Sequence, residues 1–302
     1  MASTSTSAAL AKRFYSKATT RSRSRLPLRV SWTLVGAVLI NWSVAYLVSS
    51  ATLYWWVALA MVVVGAWGLA TAAVCWLPVA DDERWQRWRA LAAWATVAVM
   101  LATFALWAVT VVRSTPSYSI DEVAFDQYAG LLASHGVDPY LRSMAPSFAL
   151  YNVPPTAFTY HLDGAPVTSL SYPALSFLPY VPFLLAGWST QLAVALNVAA
   201  WCIAIAVMFA LLPRGVRPLA LVIGAVTAYI SFSLSGVSDI LYMPFLLGAA
   251  YKWASFPSRK GWRRYIGPAL LGLAMCVKQT PWIDAPFLLA GVSLEALAIG
   301  NA

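Results

Sequence analysis

Residues 119–140 read SIDEVAFDQYAGLLASHGVDPY, a polar and acidic stretch in a chain that is otherwise mostly apolar. With its aromatic, proline-rich continuation to Pro173, it is the long internal segment that hydrocarbon will not accept. Five of the eleven carboxylates fall within this region: Asp121, Glu122, Asp126, Asp138 and Asp163. Outward from it on both sides the chain is a series of apolar runs. Only 10% of the 302 residues are charged and 61% are hydrophobic, with a mean hydropathy of +0.70; a soluble domain carries about 25% charged residues. Several runs approach or exceed the ~20 residues that span a bilayer. They predict an all-α, polytopic integral membrane protein with about eight transmembrane helices plus one re-entrant or in-plane helix, and no soluble domain of ordinary size.

Residues 1–29 have the composition of a disordered, basic cytoplasmic tail, although organelle transit peptides share it. Residues 30–112 hold three apolar runs (30–47, 52–79 and 90–112), read as three N-terminal transmembrane helices. Residues 113–172 are an external acidic loop with an amphipathic juxtamembrane helix, and residues 173–302 a further transmembrane bundle. The runs of that bundle cover 173–188, 192–212, 219–234, 240–253, 266–277 and 282–299. The net charge of +9 comes from short basic clusters between apolar runs, not from a basic stripe with interleaved aromatics. That is the pattern of topology signals, so no nucleic-acid partner is expected.

With a cytoplasmic N-terminus, seventeen of the twenty lysines and arginines fall on the inner side. Only Arg113, Arg142 and Lys278 fall outside or at the outer boundary. This division requires an odd number of crossings between the external loop and Arg214–Arg217. The run 173–188 carries Pro173, Pro179 and Pro182, and proline costs ~3 kcal/mol in a helix interior. It is therefore the one expected not to cross in full. Cys75, Cys202 and Cys276 lack disulfide or metal-ligand spacing, and His135 and His161 stand alone. Neither a metal nor a cofactor is indicated.

In the acidic stretch, Ser119 and Glu122 have capping-box spacing, and Val123, Ala124, Tyr128, Leu131 and Leu132 recur at helical intervals. Gly136 and Asp138-Pro139-Tyr140 supply the stop and a turn. The plain interpretation is a surface helix whose acids cap and meet water. A carboxylate at the bilayer edge, however, is partly desolvated, which raises its pKa and makes it a better base. Asp121 follows the third run closely and Glu122 points elsewhere on the helix, so one can meet a substrate while the other caps.

The pattern DE-x5-Y-A-x-L-L-x3-G-x-DPY at 121–140, followed by SYPALSFLPYVPFLLAG at 171–187, resembles the GT-C superfamily of membrane glycosyltransferases. GVSDILYMPFLLGAAYKW at 236–253 and GLAMCVKQTPWIDAPFLLAG at 272–291 look like further segments of that family, and the likeness covers about Trp94 to Ala290. The resemblance implies a GT-C-like fold, and the alanine, valine and tryptophan content suits a bacterial plasma membrane. It implies transfer of mannose, or another hexose or pentose, from a polyprenyl-phosphate donor to an envelope glycan or lipid acceptor on the outer face. Asp121 would be the base, with Glu122 supporting it, and Lys278 would bind the lipid phosphate. Asp239 would line the same cavity, and Tyr140 and Tyr172 would stack on the sugar. The ordinary roles of the last four are a snorkelling lysine, a helix cap and interfacial anchors. Family members continue through several more spans, so by this comparison the chain is C-terminally truncated at Ala302 and its bundle incomplete. The alternatives are a transporter or lipid-handling membrane protein, and a non-catalytic subunit.

Overall fold

A computed structural model of the chain describes residues 26–48, 55–77, 83–114, 118, 120–253 and 261–300. Most of the basic tail, Asp81, Asp82 and Ser119 of the expected capping box lie outside the described residues. Among the described residues the structure is all-helical without a strand, and an isolated bridge pairs Tyr160 with Pro166. The α-helices are α1 (Leu26–Val48), α2 (Trp55–Val74), α3 (Glu83–Ser114), α4 (Asp121–Ser134), α5 (Pro146–Leu150), α6 (Val181–Leu185) and α7 (Leu192–Leu211). They continue as α8 (Leu219–Gly224), α9 (Thr227–Ser235), α10 (Met243–Trp253), α11 (Ile266–Val277) and α12 (Thr280–Gly300).

Among the described residues four helices, α1, α2, α3 and α7, are long and apolar enough to cross a membrane. They coincide with the runs at 30–47, 52–79, 90–112 and 192–212. Of the other runs, 282–299 forms one helix of 21 residues, α12, and the rest are shorter or broken. Residues 219–234 form two helices, broken where α8 ends at Gly224 and Val226 turns extended. Helices α10 and α11 have 11 and 12 residues, about 17 and 18 Å at ~1.5 Å per residue, well short of a ~30 Å hydrocarbon core. The proline-rich run forms no straight span: it divides into 3₁₀ turns at Ala174–Ser176 and Leu178–Tyr180, followed by α6. Pro179 and Pro182 each sit in the first turn of the element they open, where a missing N–H costs nothing.

The chain forms two compact units, Met1–Thr103 with Met208–Ala225, and Phe104–Val207 with Val226–Ala302. In the first, α1 and α2 touch backbone to backbone. A Cβ on Gly36 would lie 2.5 Å from the Gly68 carbonyl oxygen, and one on Gly68 would lie 2.7 Å from that of Gly36. Further along, the Ser43 hydroxyl donates to the Met61 carbonyl at 2.6 Å. Small residues at a close crossing are the usual means of joining helices in lipid, where apolar burial gives no net drive. The other faces of α2 remain apolar and uncovered, with Leu59, Val62, Val63 and Leu69 all more than half exposed.

The second unit is built around α4. Eight of its fourteen residues are buried, Asp121, Asp126 and Gln127 among them. This corrects the expectation of a helix lying on the membrane surface with its acids in water. Gly130 allows the proline-rich turn to press against α4, since a Cβ there would lie 3.0 Å from Tyr180 Cβ and 3.1 Å from the Phe177 carbonyl. Gln127, fully buried, accepts from the Tyr118 hydroxyl and from the Leu192 N–H and donates to the Ser189 carbonyl, tying α4 to the start of α7. The N-cap of α4 is Ile120, which makes no side-chain cap bond.

Substituting Gly68→Leu is expected to force α1 and α2 apart, at a cost of about 1–3 kcal/mol. Thermal unfolding of the detergent-solubilised protein, followed by tryptophan fluorescence, should show a lowered midpoint; an unchanged midpoint would contradict the backbone contact.

Candidate functional site

The first turn of α4 carries two adjacent carboxylates with different partners. Asp121 accepts the Glu122 N–H at 2.8 Å through Oδ1 and the Thr159 N–H through Oδ2, so it pins the loop around residue 159 to the helix start. Glu122 faces another way. Its Oε1 accepts from the Ser238 hydroxyl at 2.7 Å and forms an ion pair with the Lys278 ammonium. Lys278 also pairs with Asp239 Oδ2 at 2.9 Å, and its Nζ lies 4.9 Å from the centroid of the Tyr172 ring. Asp126 sits one helical turn beyond Glu122, 1% exposed. It accepts from the Ser176 hydroxyl at 2.7 Å through Oδ1, while Oδ2 has no partner.

Each group is delivered by a helix end. Lys278 follows the last residue of α11 in an extended conformation (φ −148°, ψ 157°), which turns its side chain away from the helix axis. Ser238 and Asp239 lie in the turn between α9 and α10, which begins at Gly236 with φ +78°. A glycine is needed there on two counts: the left-handed backbone, and a Cβ that would lie 3.1 Å from Ala193 Cβ. Asn197 of α7 holds this corner by donating to the Gly236 carbonyl at 2.8 Å and to the Ala193 carbonyl at 2.9 Å. Tyr140 donates its hydroxyl to the Tyr172 carbonyl at 2.7 Å, fixing the backbone that carries the ring beside Lys278.

The structure thus brings Glu122, Lys278, Asp239 and Tyr172 into one cluster, with Tyr140 supporting it from behind. Asp121, adjacent in sequence, is turned to the backbone instead. Asp126, Ser238 and Ser176 belong to the cluster although the sequence reading gave them no role. A usable signal existed for Asp126, because residues at i and i+4 share a helix face. Asp138 and Asp163 lie apart, each accepting a backbone N–H in its own turn. Among the described residues no group of three or more His, Cys, Asp or Glu is arranged to hold a metal.

The electrostatics of the cluster are unequal. Burial pulls the Lys278 pKa down, but Glu122 and Asp239 more than offset it and the net shift is upward, so the ammonium stays charged. Burial pushes Asp126 up to about 7 against the Ser176 hydrogen bond, and the Glu122 charge adds to the rise. Burial, then the charges of Glu122 and Asp126, also raise the Tyr172 phenol. No family model, curated protein or solved structure matches the chain.

The raised Asp126 pKa makes a signed prediction. Its folded value of about 7 exceeds the ~4 of an unfolded aspartate, so the fold binds this proton more tightly. The associated stability is complete below pH ~4 and is lost as pH rises through ~7, at up to about 1.4 kcal/mol per pH unit. Asp126→Asn should flatten that decline in unfolding measurements across the window. Lys278→Met should destabilise by about 3 kcal/mol, because it leaves Glu122 and Asp239 facing each other without a cation. Adding Glu122→Gln should recover part of that loss in a double-mutant cycle; full additivity would contradict the ion pair.

Proposed function

We propose that this protein is a membrane glycosyltransferase of the GT-C type, which moves a monosaccharide from a polyprenyl-phosphate donor to an envelope glycan or lipid acceptor on the outer face. The observation that supports it most is the ion pair between Glu122, in the first turn after the third long apolar helix, and Lys278, 156 residues later. A base and a phosphate-neutralising cation are the two groups this reaction needs. The acceptor hydroxyl gives its proton to the base as its oxygen attacks the anomeric carbon. The bond from that carbon to the lipid phosphate breaks, and the phosphate keeps the electron pair. Because phosphate is a stable anion, no strong general acid is required, and a lysine in a low dielectric supplies the neutralisation.

Within the acidic pair, the geometry favours Glu122 as the base. Both Asp121 oxygens already accept backbone N–H groups, which suits it to holding the turn and its loop. Glu122 is paired with the same lysine that would meet the donor, so an incoming phosphate competes for Lys278 and frees the carboxylate when it is needed. Tyr172, beside Lys278, offers a ring face to the sugar.

The topology of about eight membrane-embedded segments belongs to the same proposal, with four of them long enough to cross, others such as α10 and α11 only partial, and residues 173–188 re-entrant. Helices as short as α10 and α11, anchored inside by Lys252, Arg263 and Arg264, end part-way through a ~30 Å core. Asp239 and Lys278 then lie below the outer surface, at a depth that a lipid-linked phosphate can reach from the side and where a charge is costly unless paired.

The test is transfer of radiolabelled sugar from polyprenyl-phosphate mannose or arabinose in membranes expressing the chain. Glu122→Gln should lower the rate ~10²–10⁴-fold, with Asp121→Asn acting more weakly and lowering stability. Full transfer by Glu122→Gln alongside loss in Asp121→Asn would move the base to Asp121. Full transfer by both would refute the site.

A further inference from the structure

In the first compact unit, the three N-terminal helices leave a crevice of about 230 Å³ between them. Their packing is antiparallel and in register. The Cys75 sulfur, just past the end of α2, lies 3.6 Å from the Arg29 carbonyl oxygen near the start of α1, and further along Gly68 meets Gly36. Towards α3, the Trp67 indole N–H donates to the Thr96 hydroxyl at 3.0 Å. Two turns from that contact, the end of α2 at Val74 lies level with Arg89. The crevice runs between these two levels, with Trp67 and Thr96 at one end and Val74, Cys75 and Arg89 at the other. Seven residues of helix make it ~10 Å long.

The two ends differ in chemistry. At the deep end the indole and the hydroxyl answer each other, and the walls are apolar. Ala70, Ala92 and Ala93 keep them apart because their side chains are small. At the other end Arg89 is exposed and, among the described residues, makes no hydrogen bond or ion pair. At the same level the Arg29 guanidinium lies 5.6 Å from the centroid of the Trp76 ring, and Trp76 donates its indole N–H to the Thr33 hydroxyl at 2.8 Å. An arginine and a tryptophan so placed mark the membrane–water boundary. The crevice therefore leads from the head-group level into the depth of the bilayer, with a cation at its mouth.

We propose that this crevice binds an anionic phospholipid, with one acyl chain lying between α2 and α3 and the phosphate at Arg89. The inference is independent of the glycosyl-transfer reading. Its shape decides for a chain: the volume falls below the ~300 Å³ at which pockets for drug-sized ligands begin, and the crevice is long and narrow. Its charge decides for an anion, since a neutral head group would leave Arg89 without a counter-charge. Basic pockets between transmembrane helices take lipid phosphates in this way. A soluble phosphate would meet the arginine and leave the apolar walls uncovered.

The test is native mass spectrometry of the full chain in a neutral detergent, with phosphatidylglycerol or phosphatidylcholine of identical acyl chains added. One phosphatidylglycerol should bind about tenfold more tightly than phosphatidylcholine and raise the unfolding midpoint. Arg89→Gln should remove the preference and Arg89→Lys should keep most of it. Ala92→Phe places a ring in the crevice from an exposed position and should abolish binding of both lipids; Ala70→Phe does the same from α2 if the first variant does not fold. Arg263→Gln, which alters an exposed cation of the second unit, should change nothing. Excess inorganic phosphate should not displace the lipid. Equal binding of the two lipids, a preference that survives Arg89→Gln, or binding indifferent to a filled crevice overturns the site. Displacement by inorganic phosphate, or an equal loss in Arg263→Gln, would reduce it to general attraction of anions and overturn it as well.

Discussion

A lysine ammonium removed from water must be compensated by charge, and in this protein the compensation decides where four separate pieces of chain lie. Moving such an ion into a protein interior costs several kcal/mol, which opposite charges and hydrogen bonds must repay. Lys278 is 9% exposed and meets Glu122 from α4, Asp239 from the turn before α10 and the Tyr172 ring from the loop. Removing any one of these leaves the others buried beside an incomplete partner set. The first turn of α4, the corner at Gly236 and the end of α11 are therefore held in register by one cation.

The same need explains why α4 is embedded. One face, through Glu122 and Asp126, is turned to the lysine and to the hydroxyls of Ser238 and Ser176. Gln127 lies about 100° round from Asp126, and its amide bonds Tyr118, Leu192 and Ser189. Between them Gly130 admits the proline-rich turn. A helix whose buried polar groups are answered by protein, Asp126 Oδ2 excepted, has little reason to face water. Asp121, at its start, spends both oxygens on backbone N–H groups and keeps the acidic turn from fraying.

Two carboxylates pair with one lysine and a third, Asp126, lies one helical turn from Glu122, so the cluster has more acids than cations. A phosphate binding here has to compete with carboxylates for Lys278, and the acceptor chemistry proposed above uses that competition. The excess acid is tolerable because Asp126 holds its proton up to about pH 7.

Composition alone determined that the chain is helical and carries helices long and apolar enough to cross a membrane, because in apolar runs of that length a helix satisfies its own backbone. The prolines at 173, 179 and 182 were enough to exclude a straight helix there, since their geometry is local. The acidic pair at 121–122 and the residues Lys278, Asp239 and Tyr172 stood out as uncommon groups beside apolar runs. Their meeting was not legible, because 156 positions separate Glu122 from Lys278 and no periodicity spans that distance. Nor could the sequence tell Asp121 from Glu122, two neighbouring acids whose roles differ only in which way each side chain leaves the helix. The burial of α4, the shortness of α10 and α11, and the place of Asp126 were decided by tertiary packing. It is packing that fixes which carboxylate loses its water, and with it which one keeps its proton.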